Sequence, residues 1–455
     1  MSVKKDFIKQ AQEVAFDLKH RKKINFNISK YFISVEKNLD RFRDFQLARK
    51  QASQIKDYSL NNIDTLLEEL VNNMKKNGIE VYFANNEKDI HFVLEKILRQ
   101  EKAKVIVKSK SMTTEEISLN DFLQSLDVEV FETDLGEFIV QQAAERPYHI
   151  VTPAMHKSKE DVVKLYHQKF SLSLNSDVKH ITYFTRNYLR KKFVKADIGI
   201  TGANFLIADK GAIALTENEG NAFMSFAFPR IHVVIAGFEK IIPSYKYLSH
   251  LWQVLANRGT GQSITVYNSI VSGPRKQGEH TGPERMIVIL LDNRRSQLLE
   301  KEEHRLALKC IRCGACLNYC PIYQNIGGYT YDAVYTGPIG SVLMPFFKGF
   351  NEYGHLSFVC TVCRKCEEVC PVMIPLPDLI LLNRREYVKK GLSGFVEKLS
   401  FKMFGKIVKS HTFFNIDLVW LKNLFISLIE STIWSKYRSF PRFKKPFRKI
   451  YKKFM

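Results

Sequence analysis

The stretch CIRCGACLNYCP, residues 310–321, carries four cysteines at a fixed spacing, and the stretch CTVCRKCEEVCP, residues 360–371, repeats that spacing. Each copy has the form Cys-x2-Cys-x2-Cys-x3-Cys-Pro, and together they account for all eight cysteines of the 455-residue chain. This spacing is typical of domains that hold two [4Fe-4S] clusters, in which the fourth cysteine of each run ligates the other cluster. The expected ligand sets are Cys310, Cys313, Cys316 and Cys370 for the first cluster, and Cys360, Cys363, Cys366 and Cys320 for the second.

Zinc is the main rival to iron-sulfur clusters, because paired Cys-x2-Cys units also bind Zn²⁺ tetrahedrally. Zinc motifs seldom continue to a third cysteine at the same step, and they rarely do so twice with a proline after the fourth. Disulfides are not favoured, because no cysteine is left outside the two runs and the pattern suits a reducing compartment. The sequence therefore predicts two [4Fe-4S] clusters in a cytoplasmic protein.

The length and composition indicate a folded chain with one large and one small domain. Hydrophobic residues make up 45% of the chain, which is enough to bury a core. The first residues, MSVKKDFIKQ, are charged and lack an apolar segment, and no run reaches the roughly 18 apolar residues that a membrane span needs. We therefore expect neither an export signal nor a spanning helix.

Periodicity divides the chain into four segments. Residues 1–60 are predicted to form a polar helical arm. Residues 61–295 alternate helical and strand patterns, among them a helix from Glu115 to Leu126, which indicates βαβ units and a mostly parallel sheet. Residues 296–390 contain the cysteine motifs and long helical insertions, which are typical of a mainly helical ferredoxin domain. Residues 391–455 are predicted to form a basic, amphipathic tail.

One part of the α/β segment, residues 196–243, has more strand character than the rest. Asp209, Lys210 and Gly211 separate two alternating apolar runs, so they predict a hairpin turn with positive φ at Gly211. A buried strand from Met286 and a helix over residues 297–308 are expected to lead into the first cysteine motif.

The formal net charge of +22 is unevenly placed, and its densest stretch is the tail. The last 20 residues, from Lys436, carry nine Lys or Arg, no acidic residue and several aromatic side chains. Upstream of them, Leu418, Leu421, Phe425, Leu428 and Ile429 recur at helical spacing. Three interpretations remain open: a helix that packs on protein with a solvated tail, peripheral contact with the inner face of a membrane, and nucleic-acid binding, which is the least favoured.

The sequence resembles the iron-sulfur subunit family of the L-lactate utilisation system, the LutB type. The resemblance runs in order over about two thirds of the chain. Its segments are VKSKSMTTEEISLN (107–120), ETDLGEFIVQ (132–141), RPYHIVTPAMHK (146–157), GITGANFLIADKGAIALTENEGNAF (199–223), FPRIHVVIAGFEKIIP (228–243), GPERMIVILLDNRRS (282–296) and CIRCGACLNYCPIYQNIGGYTYDAVYTGPIG (310–340).

The resemblance implies an α/β LUD domain, similar to the NagB, ribose-5-phosphate isomerase and CoA-transferase group, followed by a helical domain with two [4Fe-4S] clusters. It also implies two partners, a cysteine-rich subunit of the heterodisulfide-reductase type and a small LUD subunit. The implied reaction is NAD-independent oxidation of L-lactate to pyruvate. In agreement with this, the sequence has no convincing G-x-G-x-x-G fingerprint between a strand and a helix.

A polar run after an apolar strand, residues 216–221, is the densest group of candidate site residues in the α/β segment. Its carboxylates and amides, with Gly220, suit a small carboxylic acid. Glu217 is a candidate catalytic residue, although Glu219 interrupts the Glu-Asn-Gly order of the related transferases. The alternative is a hydrogen-bonded loop that shapes the sheet edge.

Two histidines and a basic loop are further candidates. His149 and His156 could move the proton of a substrate hydroxyl, although isolated histidines are more often structural. Lys108, Lys110 and Ser111 follow a strand and could hold a carboxylate or phosphate, or could form a solvated loop.

Two classes of function are consistent with these features. One is the electron-transfer subunit of a lactate-oxidising complex, in which two clusters pass single electrons. The other is a ferredoxin-bearing adaptor in which the LUD domain docks a partner or senses a ligand.

Overall fold

The computed structural model describes residues 3–409, residues 419–429, Arg442 and Lys444. It divides into two compact units, Met1–Glu386 and Tyr387–Met455. The first unit contains the predicted α/β domain and both cysteine motifs. The second contains the predicted tail.

The α/β part is built on a six-stranded sheet. Its strands are short and rich in β-branched residues, as expected for strands buried on both faces. The strands of the whole unit are β1 (Glu80–Ala84), β2 (Val105–Lys108), β3 (Glu129–Glu132), β4 (Ile198–Thr201), β5 (Phe205–Ile207), β6 (Ala212–Glu217), β7 (Ile231–Gly237), β8 (Ile241–Ile242), β9 (Tyr267–Val271) and β10 (Arg285–Leu291). The large sheet has the order β1-β10-β7-β4-β2-β3, and all its pairs are parallel. This confirms the prediction of a parallel sheet made of βαβ units.

Helices cover both faces of this sheet and flank it along the chain. Up to the first cysteine motif they are α1 (Val3–Val14), α2 (Leu18–Leu39), α3 (Phe45–Asn61), α4 (Ile63–Lys76), α5 (Glu87–Glu101), α6 (Met112–Glu116), α7 (Leu119–Ser125), α8 (Leu135–Gln142), α9 (Lys159–Phe170), α10 (Val178–Lys195), α11 (Asn221–Ala227), α12 (Leu248–Thr260) and α13 (Arg295–Leu299). Ile106 faces a core that includes α5 and α7, whereas its neighbour Val107 faces a core that includes α8, α9 and α10. The alternation of strand side chains therefore builds two separate cores.

A second sheet of four strands has the order β8-β5-β6-β9. β5 and β6 pair antiparallel through a tight turn in which Gly211 has φ +55°. The predicted hairpin is thereby confirmed. A Cβ at Gly211 would lie 2.3 Å from the backbone of Asn73, so α4 also requires glycine here.

The predicted N-terminal arm packs against the rest of the first unit. Phe7 of α1 is in ring contact with Tyr331, with centroids 6.1 Å apart. The Tyr31 hydroxyl of α2 donates to the Arg258 carbonyl oxygen at 2.8 Å. Both helices therefore have long-range contacts within the unit.

The cysteine-rich part contains no strand among the described residues. Its helices are α14 (Ala315–Asn318), α15 (Pro321–Ile326), α16 (Gly337–Phe347), α17 (Phe350–Tyr353), α18 (Lys365–Glu368) and α19 (Leu376–Lys389), with 3-10 turns at His304–Lys309 and Gly354–Val359. α16 is buried along its whole length, which accounts for its uniformly apolar sequence.

Two predicted helices are wrong in their extent. The helix expected over residues 297–308 is broken into α13 and the 3-10 turn at His304–Lys309. The helix expected between Glu115 and Leu126 is divided into α6 and α7 by Ser118, which has φ 49°. In both places the hydrophobic spacing continues across a turn, so periodicity alone does not reveal the break.

The second unit contains α20 (Phe395–Lys409) and α21 (Val419–Ile429). α21 confirms the helical spacing of the apolar residues predicted there, while Leu418 and most of the basic tail lie outside the described residues. None of the helices in the described part of the chain is long and apolar enough to cross a bilayer.

Candidate iron-sulfur centre and adjoining cleft

The two cysteine motifs adopt the same local structure. Each follows a 3-10 turn and ends in a helix of four residues, α14 or α18. The second residue after the first cysteine is left-handed in both, with φ 62° at Arg312 and 57° at Val362. The fourth is also left-handed, with φ 74° at Gly314 and 63° at Arg364. The sequence repeat is therefore also a structural repeat.

Charge interactions between the thiols show which of them lie close together. Burial raises the pKa of the Cys370 thiol, and the nearby Cys310 thiolate raises it further. Burial also raises the pKa of Cys313, and the charges of Cys370 and Cys310 add to that effect. The last cysteine of the second motif is therefore placed beside the first motif.

The converse holds for the last cysteine of the first motif. The pKa of Cys320 is raised to about 11 by burial, with further contributions from Cys360 and Cys363. Burial raises the pKa of Cys366, and Cys320 is the strongest charged neighbour that adds to it. The thiols thus form two neighbouring groups of four, each drawing three members from one motif and one from the other.

The residues present fit iron-sulfur clusters. None of the eight cysteines forms a disulfide. Backbone N–H groups donate to three of the sulfurs: Arg312 to Cys310 Sγ at 3.4 Å, Val362 to Cys360 Sγ at 3.3 Å, and Ile374 to Cys370 Sγ at 3.4 Å. Such donors stabilise thiolates, which are the ligand form that iron requires.

A cleft of about 310 Å³ opens beside the first motif. It lies where β2, β4 and β6 end, and the segments that follow those strands form its walls. Arg312 and Cys313 of the first motif also line it. Ligands of parallel sheets usually bind at the carboxyl ends of strands, so the cleft occupies the expected place for a ligand site. A ligand in it would lie next to a thiol of the first group.

One side of the cleft is rich in hydrogen-bond donors. Ser109, Ser111 and Lys240 are each at most 8% exposed. Their side chains line the cleft. Arg312 lines the same cleft, and its Nη1 atom has no partner within the described chain. These groups allow the cleft to bind an anion.

Another part of the cleft wall carries carboxylates. Glu219 accepts a hydrogen bond from the Leu135 amide at 3.1 Å through Oε2. Burial and the nearby Asp134 charge raise the pKa of Glu219 to about 7, against the smaller opposing effect of Lys110. Glu219 is therefore partly protonated near neutral pH and can hold or release a proton at the cleft.

Glu217 has a different environment. Its two carboxylate oxygens accept hydrogen bonds from the amides of Ala222 at 2.6 Å and Phe223 at 2.7 Å, at the start of α11. Because both oxygens are occupied by backbone donors, the contacts favour the loop-shaping interpretation of Glu217 over a covalent role.

The two candidate histidines do not line the cleft. His149 is 3% exposed, and burial lowers its pKa to about 3, so the ring is neutral. Its Nδ1 accepts from the amides of Val151 at 3.0 Å and Thr152 at 3.2 Å, which holds the loop that carries Val151 into the cleft. His156 lies elsewhere, with Nε2 2.8 Å from Glu145 Oε2. These contacts favour structural roles for both histidines.

The two candidate lysines also have different environments. The Lys108 side chain is fully buried, with Nζ 2.7 Å from Glu132 and 3.0 Å from Glu115. Burial raises the pKa of neighbouring Glu137, and the charges of Glu132 and Glu115 raise it further. Lys110 lines the cleft and donates to the Val151 carbonyl at 2.6 Å. The solvated-loop interpretation is therefore wrong for Lys108.

Comparison with known proteins assigns both parts of the first unit. A family model described as the LUD domain matches residues 67–291, and one described as a 4Fe-4S dicluster domain matches residues 306–374. Lactate utilization protein B of Bacillus velezensis is 40% identical over 374 residues, covering 82% of this chain and 78% of the relative. The chain belongs to the lactate utilization protein B family.

A second member of this similarity group is a protein of Escherichia coli K12 named uncharacterized electron transport protein YkgF. It is 39% identical over 369 residues, covering 81% of this chain and 78% of the relative. A crystal structure of a DUF162 family protein from Deinococcus radiodurans is similar to 50% of this chain at 13% identity, with a TM-score of 0.29. The family resemblance, the LUD domain and the two [4Fe-4S] clusters expected from the sequence are thus confirmed.

Sequence reasoning missed three cleft residues, Ser109, Lys240 and Arg312. Lys240 lies between two short apolar strands, and Arg312 lies inside a metal-binding motif. No local pattern marks either as a ligand-binding residue. Only the fold brings them to the ends of β2 and β4.

Proposed function

We propose that this chain is the iron-sulfur electron-transfer subunit of an NAD-independent complex that oxidises L-lactate to pyruvate. Similarity over most of the chain to proteins named lactate utilization protein B supports the pathway, and the dicluster domain supports the electron-transfer role. The observation that carries the proposal is the position of the LUD-domain cleft, which shares Arg312 and Cys313 with the first cysteine motif.

The proposed ligand sets are Cys310, Cys313, Cys316 and Cys370 for the first cluster, and Cys360, Cys363, Cys366 and Cys320 for the second. The two neighbouring groups of four thiols support this crossed arrangement. When bound, each [4Fe-4S] cluster accepts or gives one electron, whereas conversion of lactate to pyruvate releases two electrons and two protons.

The chain's own residues give the two cysteine groups different surroundings. In the first group Cys313 and Cys316 are buried, whereas Cys363 of the second group is exposed. The first group adjoins the cleft and the second reaches the surface. This arrangement supports a path in which electrons enter near the cleft and leave near Cys363.

The proposed partners are a cysteine-rich subunit of the heterodisulfide-reductase type and a small LUD subunit. The proposed location is cytoplasmic, with peripheral contact of the basic tail with the inner face of the membrane. The similarity to lactate utilization protein B supports the proposed partners, and the charge of the tail supports the proposed membrane contact.

A second candidate is an adaptor subunit of another oxidoreductase complex, in which the LUD domain docks a partner or senses a ligand. The structural contacts of Glu217, His149 and His156 favour it, because they leave the LUD domain without these three as catalytic groups.

The experiment is an anaerobic assay of the purified complex with L-lactate, D-lactate and glycolate and a dye as electron acceptor. We expect L-lactate to reduce the clusters, seen as bleaching of visible absorbance, at a rate that matches pyruvate formation. The matched control carries Cys313→Ala in this chain, and it should lose dye reduction while the complex still assembles. Absence of lactate-dependent reduction in a fully loaded complex would favour the adaptor.

A further inference from the structure

The charge arrangement around the LUD-domain cleft points to a specific kind of ligand. Ser109, Ser111 and Lys240, each at most 8% exposed, line the cleft together with Arg312, whose Nη1 atom is buried without a hydrogen-bond partner among the described residues. Buried donors are normally paired, so this lining is expected to receive an acceptor. Lysine and hydroxyl donors together suit a carboxylate or phosphate oxygen.

The size of the cleft favours a small molecule. Its volume of about 310 Å³ corresponds to roughly ten water molecules at about 30 Å³ each. A three-carbon acid with a few waters fits this space. The apolar part of the lining, which includes Met112, Ile150 and Leu255, suits a short carbon chain.

The carboxylates on the cleft wall favour an acid that carries a single negative charge. Asp134 and Glu219 lie on the cleft wall and repel a second negative charge, so a dianionic phosphate ester is less suited than a monocarboxylate. A protonated Glu219 is also able to donate to a hydroxyl or keto oxygen. The cleft therefore offers cationic donors for one carboxylate and a proton-holding group for a neighbouring oxygen.

We propose that this cleft is a binding site for a small 2-hydroxy or 2-oxo monocarboxylic acid, held through its carboxylate by Ser109, Ser111 and Lys240 directly beside the first cluster. This inference rests on the proposed function, in which the acids are L-lactate and pyruvate. It adds that acid binding belongs to this chain rather than to a partner. Arg312 joins the two sites, because it lines the cleft and its amide donates to Cys310 Sγ.

The test is anaerobic calorimetric titration of the cluster-loaded chain with pyruvate, L-lactate, oxalate and inorganic phosphate. The variants are Lys240→Met and Ser111→Ala, and the matched control is Lys246→Met, which removes an exposed lysine from the same stretch of chain. We expect pyruvate and oxalate to bind the wild-type chain, and affinity to fall at least about tenfold in Lys240→Met and several-fold in Ser111→Ala. Lys246→Met should bind like the wild type.

A second readout tests the position beside the cluster. Oxalate should alter the EPR spectrum of the reduced first cluster in the wild-type chain, and this change should be lost in Lys240→Met at the same oxalate concentration. Iron content of every variant establishes that the clusters are intact. A spectrum insensitive to saturating oxalate would overturn the placement.

Three results would overturn the binding proposal: no binding of any carboxylate by a fully loaded chain, binding of phosphate alone, or equal affinities in Lys240→Met and Lys246→Met. These failures are distinct from failure of the proposed function. A complex that oxidises L-lactate while this chain alone binds no acid would contradict only the cleft assignment. A chain that binds pyruvate in a complex inert toward lactate would contradict only the lactate reaction.

Discussion

Arg295 and Glu239 form an ion pair with no exposed side-chain surface, and the Nε to Oε2 distance is 2.6 Å. Arg295 also binds both oxygens of Glu116 at 2.8 Å, and the Tyr335 hydroxyl donates to Glu116 at 2.8 Å. Through Tyr335, this network connects the LUD domain to the cluster domain. Arg312 of the first cysteine motif completes the network at 3.3 Å from Glu239.

Replacing Arg295 with Met should strongly destabilise the first unit. It leaves the carboxylates of Glu116 and Glu239 buried without their main cation, a change that costs about 3–5 kcal/mol. Anaerobic urea unfolding followed by circular dichroism measures the loss. Arg230→Met is the control, because Arg230 is half exposed and its pairs should contribute at most about 1 kcal/mol. Equal effects of the two substitutions would contradict the role of the buried network.

Paired cysteine variants test the crossed ligand sets. With crossed ligation, Cys313→Ala combined with Cys370→Ala damages one cluster and leaves about four iron atoms per chain, whereas Cys313→Ala combined with Cys320→Ala damages both. Iron analysis and EPR of the reduced proteins measure the result. If each motif instead holds its own cluster, the outcomes of the two double variants exchange.

Acid binding in the cleft should weaken as the pH rises through 7. Glu219 has a pKa raised to about 7, and its ionised form adds negative charge beside the bound carboxylate, so binding favours the protonated form. The facing groups are Asp134 and Glu217, which raise this pKa, and Lys110, which lowers it. Affinity for pyruvate should fall between pH 6 and pH 7.5, approaching about tenfold per pH unit above the pKa.

Glu219→Gln is the variant for this prediction. Calorimetric titration at several pH values should show that the variant retains tight binding across the same range. A wild-type affinity that does not change between pH 6 and pH 7.5 would show that Glu219 does not control the site.

The tail interpretations can be separated by deletion of residues 436–455. In the second unit, Phe395, Phe401, Phe404 and Trp420 are each more than 60% exposed, and such aromatic side chains next to basic residues suit a membrane surface. The full chain should sediment with vesicles that contain anionic lipid, less so at high salt, and the deletion should reduce this binding. Binding to RNA but not to vesicles would favour the nucleic-acid interpretation, and binding to neither would favour packing on protein.

The cluster motifs, the parallel sheet and the hairpin at Gly211 could be predicted because each depends on a local signal. Cysteine spacing, strand alternation and an Asp-Lys-Gly turn are visible within a few residues. The cleft could be predicted only in part, since Ser111, Lys110 and residues 216–221 were recognised without their common location. Lys240 and Arg312 join them only through the sheet order, which no short pattern encodes.

Roles based on residue type were the least reliable inferences. Histidine and glutamate suggested proton transfer at His149, His156 and Glu217, but backbone amides bind His149 Nδ1 and both Glu217 oxygens, and the Glu145 carboxylate binds His156 Nε2. The break between α13 and the first motif was also hidden, because apolar spacing continues through it. Tertiary contacts decide both the role of a polar side chain and the place where a helix ends.

The guanidinium of Arg49, on α3, donates to the carbonyl oxygens of Cys370 at 2.9 Å and Glu367 at 3.0 Å. Arg49 is therefore held by the last cysteine of the second motif, 321 residues later in the chain. These two hydrogen bonds of α3 can form only after translation has passed residue 370. The last contacts of α3 and the completion of the cysteine set that contains Cys370 thus depend on the same late segment of the chain.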